Sequence, residues 1–173
     1  MNRAMTFDDG DPLFNLRLNH AAYRLGFAKS SEFPRAADQA LSAGLYSISL
    51  DQLASTKDPV LSDVGPLLER TLEELGVPLP SEREAAMLIA RFFIQKILTD
   101  EAVEKCLNGL WRLYINVQPI FPKDRCYGEA LDISALMGDF HQYEDFEDQP
   151  RVRAQLYEDA RAQAAAWLAR HPI

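Results

Sequence analysis

An all-α fold follows from three features of this sequence. Apolar residues recur at intervals of three and four, and Pro and Gly fall between those runs where helices start and stop. No Asn-Gly or Asp-Gly turn stands between two alternating runs; Asp9-Gly10 has no strand-like segment before it. The expected architecture is a single-domain irregular helical bundle over residues 1–173, of about six helices with short Pro/Gly-punctuated loops. A length of 173 residues suits one such domain.

In chain order, residues 1–30 have the least decided pattern. Leu13 to Leu25 reads as a helix, although Leu16 and Leu18 alternate with polar residues as in a strand. Ser31 and Pro34 open a helix to Ala43, which Gly44 closes in a left-handed conformation. Ser49 is placed to cap a short helix from Leu50 to Ala54, and Asp58-Pro59 to start the next. Gly65-Pro66 then marks a kink or a fresh start before the face of Leu67, Leu68, Leu72 and Leu75.

Val77-Pro78-Leu79-Pro80 is a stiff extended connector, because a residue before Pro is pushed out of the α region. Ser81 and Glu84 form a capping-box pattern, each side chain able to satisfy a backbone N–H of the other. The helix behind it, to about Leu98, is apolar on more than one face, as expected of a helix surrounded by others. A second stripe runs from Val103 through Cys106, Leu107, Leu110 and Leu113 to Val117, with Trp111 and Tyr114 on it. Gly109 lies inside that helix, where it is unfavourable by about 1 kcal/mol against Ala, so a crossing helix is expected to approach closely there. Pro119 and Pro122 end it. Ile133, Leu136, Met137 and Phe140 give the next face, and Pro150 precedes a last helix that buries Val152, Leu156, Ala160, Ala164, Trp167 and Leu168.

Charge narrows the function classes. Eighteen basic against 26 acidic residues give a net charge of −8. A face that binds nucleic-acid backbones must be basic, and an anionic membrane surface favours the same sign, so neither is an expected partner. No window reaches the roughly 18 apolar residues of a membrane span. The N-terminus lacks the basic-then-apolar layout of a secretory signal. Two cysteines, Cys106 and Cys126, are too few for a disulfide framework. The expectation is a soluble, cytoplasmic protein.

The acidity is concentrated. From Glu129 to Pro150 there are seven acids and no Lys or Arg. Aromatic residues interleave with them in the stretch from Phe140 to Asp148. This composition suits a surface that docks a basic protein, with charge for steering and rings for anchoring. The candidate binding residues are Asp139, Tyr143, Glu144, Asp145, Glu147 and Asp148. The alternative use of the segment is as a metal or small-ligand site in a helical-bundle enzyme. His141, Glu144 and Asp145 fall on neighbouring positions of one helical face, and imidazole with carboxylate suits a divalent transition metal. Di-iron bundles use Glu-x-x-His with further Glu on facing helices; here the order is reversed.

Other chemistry finds no carrier. There is no Gly-x-Ser-x-Gly elbow, no phosphate-binding glycine loop, and so no catalytic residue or cofactor to assign. Cys106 sits on an apolar stripe, where burial makes a thiol inert, and no His is close in sequence to Cys126. Asp8-Asp9-Gly10-Asp11 resembles the opening of a calcium loop, but the twelfth position, where a bidentate Glu should close it, is Asn19. Glu73 and Glu74 stand at a helix C-terminus, the unfavourable end for an acid, and are expected to face solvent. The sequence therefore reads as a non-enzymatic, acidic, protein-binding helical module. A small inhibitor of a basic effector, of the immunity-protein type, has these properties. A homo-oligomer that completes an apolar stripe with a second copy is compatible with either use of the acidic segment.

Overall fold

Asp11 opens the first helix. Its Oδ1 accepts from the backbone N–H of Leu13 (2.9 Å) and Phe14 (3.3 Å), and Pro12 fills the first turn, so α1 runs Pro12–Arg24. The computed structural model describes residues 10–99, 102–117, 129–146 and 148–172, without the side chains of Asp139, Tyr143 and Glu144. The described residues are all-helical, with no strand. After α1 come α2 (Glu32–Ser42), α3 (Ile48–Ala54), α4 (Leu61–Glu74), α5 (Glu82–Thr99), α6 (Val103–Val117), a 3-10 turn (Glu129–Leu131), α7 (Ser134–Asp145) and α8 (Pro150–Arg170). Among the described residues eight α-helices stand where about six were expected. Each of the eight falls on a run that the spacing marks as helical, so the difference is in the total and not in an added element. α3 has only seven residues, and α1 is buried on several sides at once. Leu16 and Leu18 are both inside, so their alternation came from an enclosed helix and not from a strand.

The chain divides into two compact units, 1–88 and 89–173, with the boundary inside α5. In the first unit α1 packs on α2 and α4, and α3 packs on the same two helices. Leu16, Phe33, Leu50, Leu53, Leu68 and Leu72 form the centre of its core, all fully buried. Gly44 and Gly76 end α2 and α4 at positive φ (88° and 70°). Leu45 N–H then reaches the Ala40 carbonyl and Val77 N–H that of Leu72, which satisfies carbonyls the helix ends leave open.

The start of α3 differs from the sequence expectation. Its cap is Ser47, whose Oγ accepts from Leu50 N–H at 3.1 Å. Ser49 instead donates its N–H and its Oγ–H to the two carboxylate oxygens of Glu74, at 2.9 and 2.8 Å. Glu74 sits at the unfavourable end of its own helix but beside the N-terminus of α3, where free N–H groups attract an anion. The bonds from Ser49, backbone first, hold its carboxyl below the usual carboxylate range. Replacing the cap, Ser47→Ala, is expected to lower stability by about 1 kcal/mol. Urea unfolding followed by circular dichroism measures this, and an unchanged midpoint would remove Ser47 from the cap role.

α4 begins at Leu61, without a side-chain cap, rather than at Asp58-Pro59; Asp58 lies at φ 49° in the connection. The helix passes through Gly65-Pro66 without a break. Pro66 withholds an N–H from Ser62 near the helix start, and both residues are exposed, so water can take the freed carbonyl. Gly65 is buried there because the Tyr23 ring of α1 lies on its backbone; a Cβ at this position would overlap the ring.

α5 opens with the expected capping box. Glu84 Oε2 accepts from Ser81 N–H (2.8 Å) and Ser81 Oγ–H (2.7 Å), and Glu84 N–H reaches back to Ser81 Oγ at 3.3 Å. Ala85, Ala86, Ile89, Ala90, Phe92, Phe93, Ile94 and Ile97 are all buried, so more than one face of this helix is covered, while Leu98 is exposed.

In the second unit α7 packs on both α6 and α8. α6 buries Val103, Cys106, Leu107, Gly109, Leu110, Leu113 and Val117. The expected close approach at Gly109 is the Phe93 ring, which a Cβ there would overlap. α8 buries Leu156, Ala160, Ala164 and Trp167, with Val152 and Leu168 half-buried at the margins of that stripe. No described helix is long and apolar enough to cross a membrane.

Candidate functional site: the acidic segment around α7

Ile133, Leu136, Met137 and Phe140 point inward and are buried. Their spacing fixes the orientation of α7 and leaves Gly138, His141, Gln142 and Asp145 exposed. Asp148, in the turn before α8, is also exposed. Neither Asp145 nor Asp148 takes part in an ion pair among the described residues. Of the other candidate binding residues, Glu147 and the side chains of Asp139, Tyr143 and Glu144 lie outside the described residues. Cys126 and its loop do as well.

At least one acid of the segment is already engaged. Asp132, at φ 56° after the 3-10 turn, accepts from Arg170 Nε (2.9 Å) and Nη2 (2.8 Å) and from His171 Nε2 (3.1 Å). The His171 bond, with Arg170 adding to it, holds its carboxyl below the usual range. His171 is itself placed by its backbone carbonyl, which accepts from Arg91 Nη1 at 2.6 Å, and by its ring, 4.3 Å from that of Trp167. Asp132 therefore ties the end of α8 to the acidic segment and is a structural anion rather than part of a free surface.

An aromatic group beside these acids was not foreseen. Trp111 stacks with Tyr114 (centroids 5.7 Å apart, 27° between planes) and with Phe140 (6.0 Å, 21°). The exposed His141 ring meets Trp111 edge-on at 4.9 Å and 78°. Trp111 and Tyr114 are half-buried, so of the two tryptophans expected in the core only Trp167 is fully enclosed. The three-residue spacing of Trp111 and Tyr114 was visible in the sequence, but their meeting with Phe140 and His141 needs the packing of α6 on α7.

His141 and Asp145 are four residues apart on α7, as a metal pair would require. Among the described residues, however, no group of three or more His, Cys, Asp or Glu side chains is gathered to hold a metal ion. His141 has instead the edge contact with Trp111. Compared with family models, curated proteins and solved structures, the chain matches none.

Proposed function

We propose that this chain is a non-enzymatic, acidic helical module that binds a basic protein, with the segment from Glu129 to Asp148 as its docking surface. The observation that carries this reading is the concentration of seven acids, with no Lys or Arg, in residues 129–150. Two of the acids whose positions are described, Asp145 and Asp148, are exposed, and the Trp111–His141 group lies on the adjoining helices. The acids of the run other than Asp132, which Arg170 and His171 hold, speed encounter with a cationic surface, and half-buried rings supply the desolvated contacts that slow release. A small inhibitor of a basic effector is the narrower form of the proposal. The same reading takes the chain as cytoplasmic, in keeping with its having only two cysteines, of which Cys106 is buried, and takes nucleic acid as no partner.

The test is kinetic. Basic candidate proteins are passed over the immobilised chain at low and moderate salt, beside a variant carrying Glu144→Gln, Asp145→Asn, Glu147→Gln and Asp148→Asn. A genuine partner associates at least tenfold more slowly with the variant at low salt, and its rate depends less on salt. Equal rates and equal salt dependence for the two proteins would sink the surface assignment.

A further inference from the structure

The joint between α1 and α4 contains a buried imidazole that no role above uses. His20 and Tyr23, one turn apart on α1, meet Glu69 and Gly65, one turn apart on α4. The Tyr23 ring lies on the Gly65 backbone, and His20 Nε2 is 3.3 Å from Glu69 Oε1. The His20 residue is 1% exposed, and its Nδ1 is buried with no hydrogen-bond partner among the described residues. We propose that His20 makes this joint proton-sensitive, so that mild acidification loosens α1 from α4.

With the ring neutral, Nε2–H donates to the Glu69 carboxylate and Nδ1 carries only a lone pair. A second proton must go to Nδ1, where it creates a buried N–H without an acceptor and a positive charge shut off from water. Among the described residues, two charges act on the ring. Glu69 of α4 favours the proton, but its side chain is 33% exposed and water weakens its pull. Arg24 of α1 opposes the proton and is itself 3.9 Å from Glu82 at the start of α5. α2, which also packs on α1, supplies no charge acting on the ring. Burial outweighs the hydrogen bond and the charge of Glu69, so the folded ring holds its proton less readily than a free histidine of pKa 6.5.

A depressed folded pKa fixes the sign. The joint is at full strength above about pH 6.5 and weakens as pH falls from there toward the folded value, because the opened ring binds the proton more tightly. Within that window the opening equilibrium grows by up to about tenfold per pH unit.

Hydrogen exchange read by mass spectrometry at about pH 7.5 and about pH 5.5, corrected for intrinsic rates, tests this on the intact chain. In the wild type, protection across residues 12–24 is expected to fall several-fold more than across α8. In His20→Gln that excess loss disappears, while His141→Gln keeps it. An equal loss in α1 and α8, or the same excess loss in His20→Gln, would overturn the proposal. Because glutamine at so enclosed a site can itself unfold the unit, the His20 ring resonance of the wild type gives a second reading. A titration midpoint below 6.5 supports the switch, and one at or above 6.5 overturns it.

Discussion

Trp167→Ala is expected to lower the unfolding free energy by about 3–5 kcal/mol, the usual cost of deleting a fully enclosed aromatic. Trp167 is 1% exposed, and its Nε1–H donates to the Leu131 carbonyl at 2.9 Å. The substitution removes both the packed ring and the donor, and leaves the Leu131 carbonyl without its partner in the core. Trp167→Phe separates the two effects. It keeps most of the ring and loses the hydrogen bond, for which about 1–3 kcal/mol is expected. Denaturant titration followed by far-ultraviolet circular dichroism suits both variants, since fluorescence would lose one of only two tryptophans. A Trp167→Ala cost under about 1 kcal/mol would contradict the enclosure. If the two variants cost the same, the hydrogen bond would account for the whole effect.

Buried stripes built from Leu, Val and Ala at helical spacing were legible directly. The stripe of α6 and that of α8 lie within a residue or two of where the spacing of Leu, Val and Ala put them. The capping box at Ser81 and Glu84 was equally plain, because it is local: both partners lie within one turn. Long-range partners were hidden. Nothing near Glu74 in sequence reveals that its carboxylate reaches Ser49, 25 residues earlier, so the cap of α3 was assigned to the wrong serine. α1 was ambiguous for another reason. A helix covered on several sides loses the polar face that gives the 3.6-residue period its contrast.

The candidate surface shows the same division. The run of acids from Glu129 to Asp148 is a property of composition and was fully visible. Which acids are already matched is a property of packing: Asp132 is held by Arg170 and His171, 38 and 39 residues away. The meeting of Trp111 with His141 likewise depends on how α6 and α7 cross, which single-residue spacing does not encode.

Gly109→Ala is expected to destabilise the protein even though alanine is the better helix former. Alone, the exchange inside a helix gains about 1 kcal/mol. Here the new methyl group would overlap the Phe93 ring. That ring has little room to retreat, since Phe93 is 3% exposed and packs edge-on against Phe92 with centroids 5.5 Å apart. Forcing one extra carbon into such a contact costs about 1–3 kcal/mol, which equals or exceeds the gain from propensity. Gly138→Ala is the matched control, because Gly138 is exposed on α7 and a Cβ there meets nothing within 4 Å. It should stabilise by the propensity term. The two alanine variants are thus expected to move the unfolding midpoint in opposite directions. Shrinking the opposing ring, Phe93→Leu, is itself costly, but it should make Gly109→Ala less harmful, with a favourable coupling of about 0.5–3 kcal/mol in the double-mutant cycle. If Gly109→Ala stabilised as much as Gly138→Ala, the ring would not be resting on Gly109, and the reason for a glycine in the middle of α6 would have to be sought elsewhere.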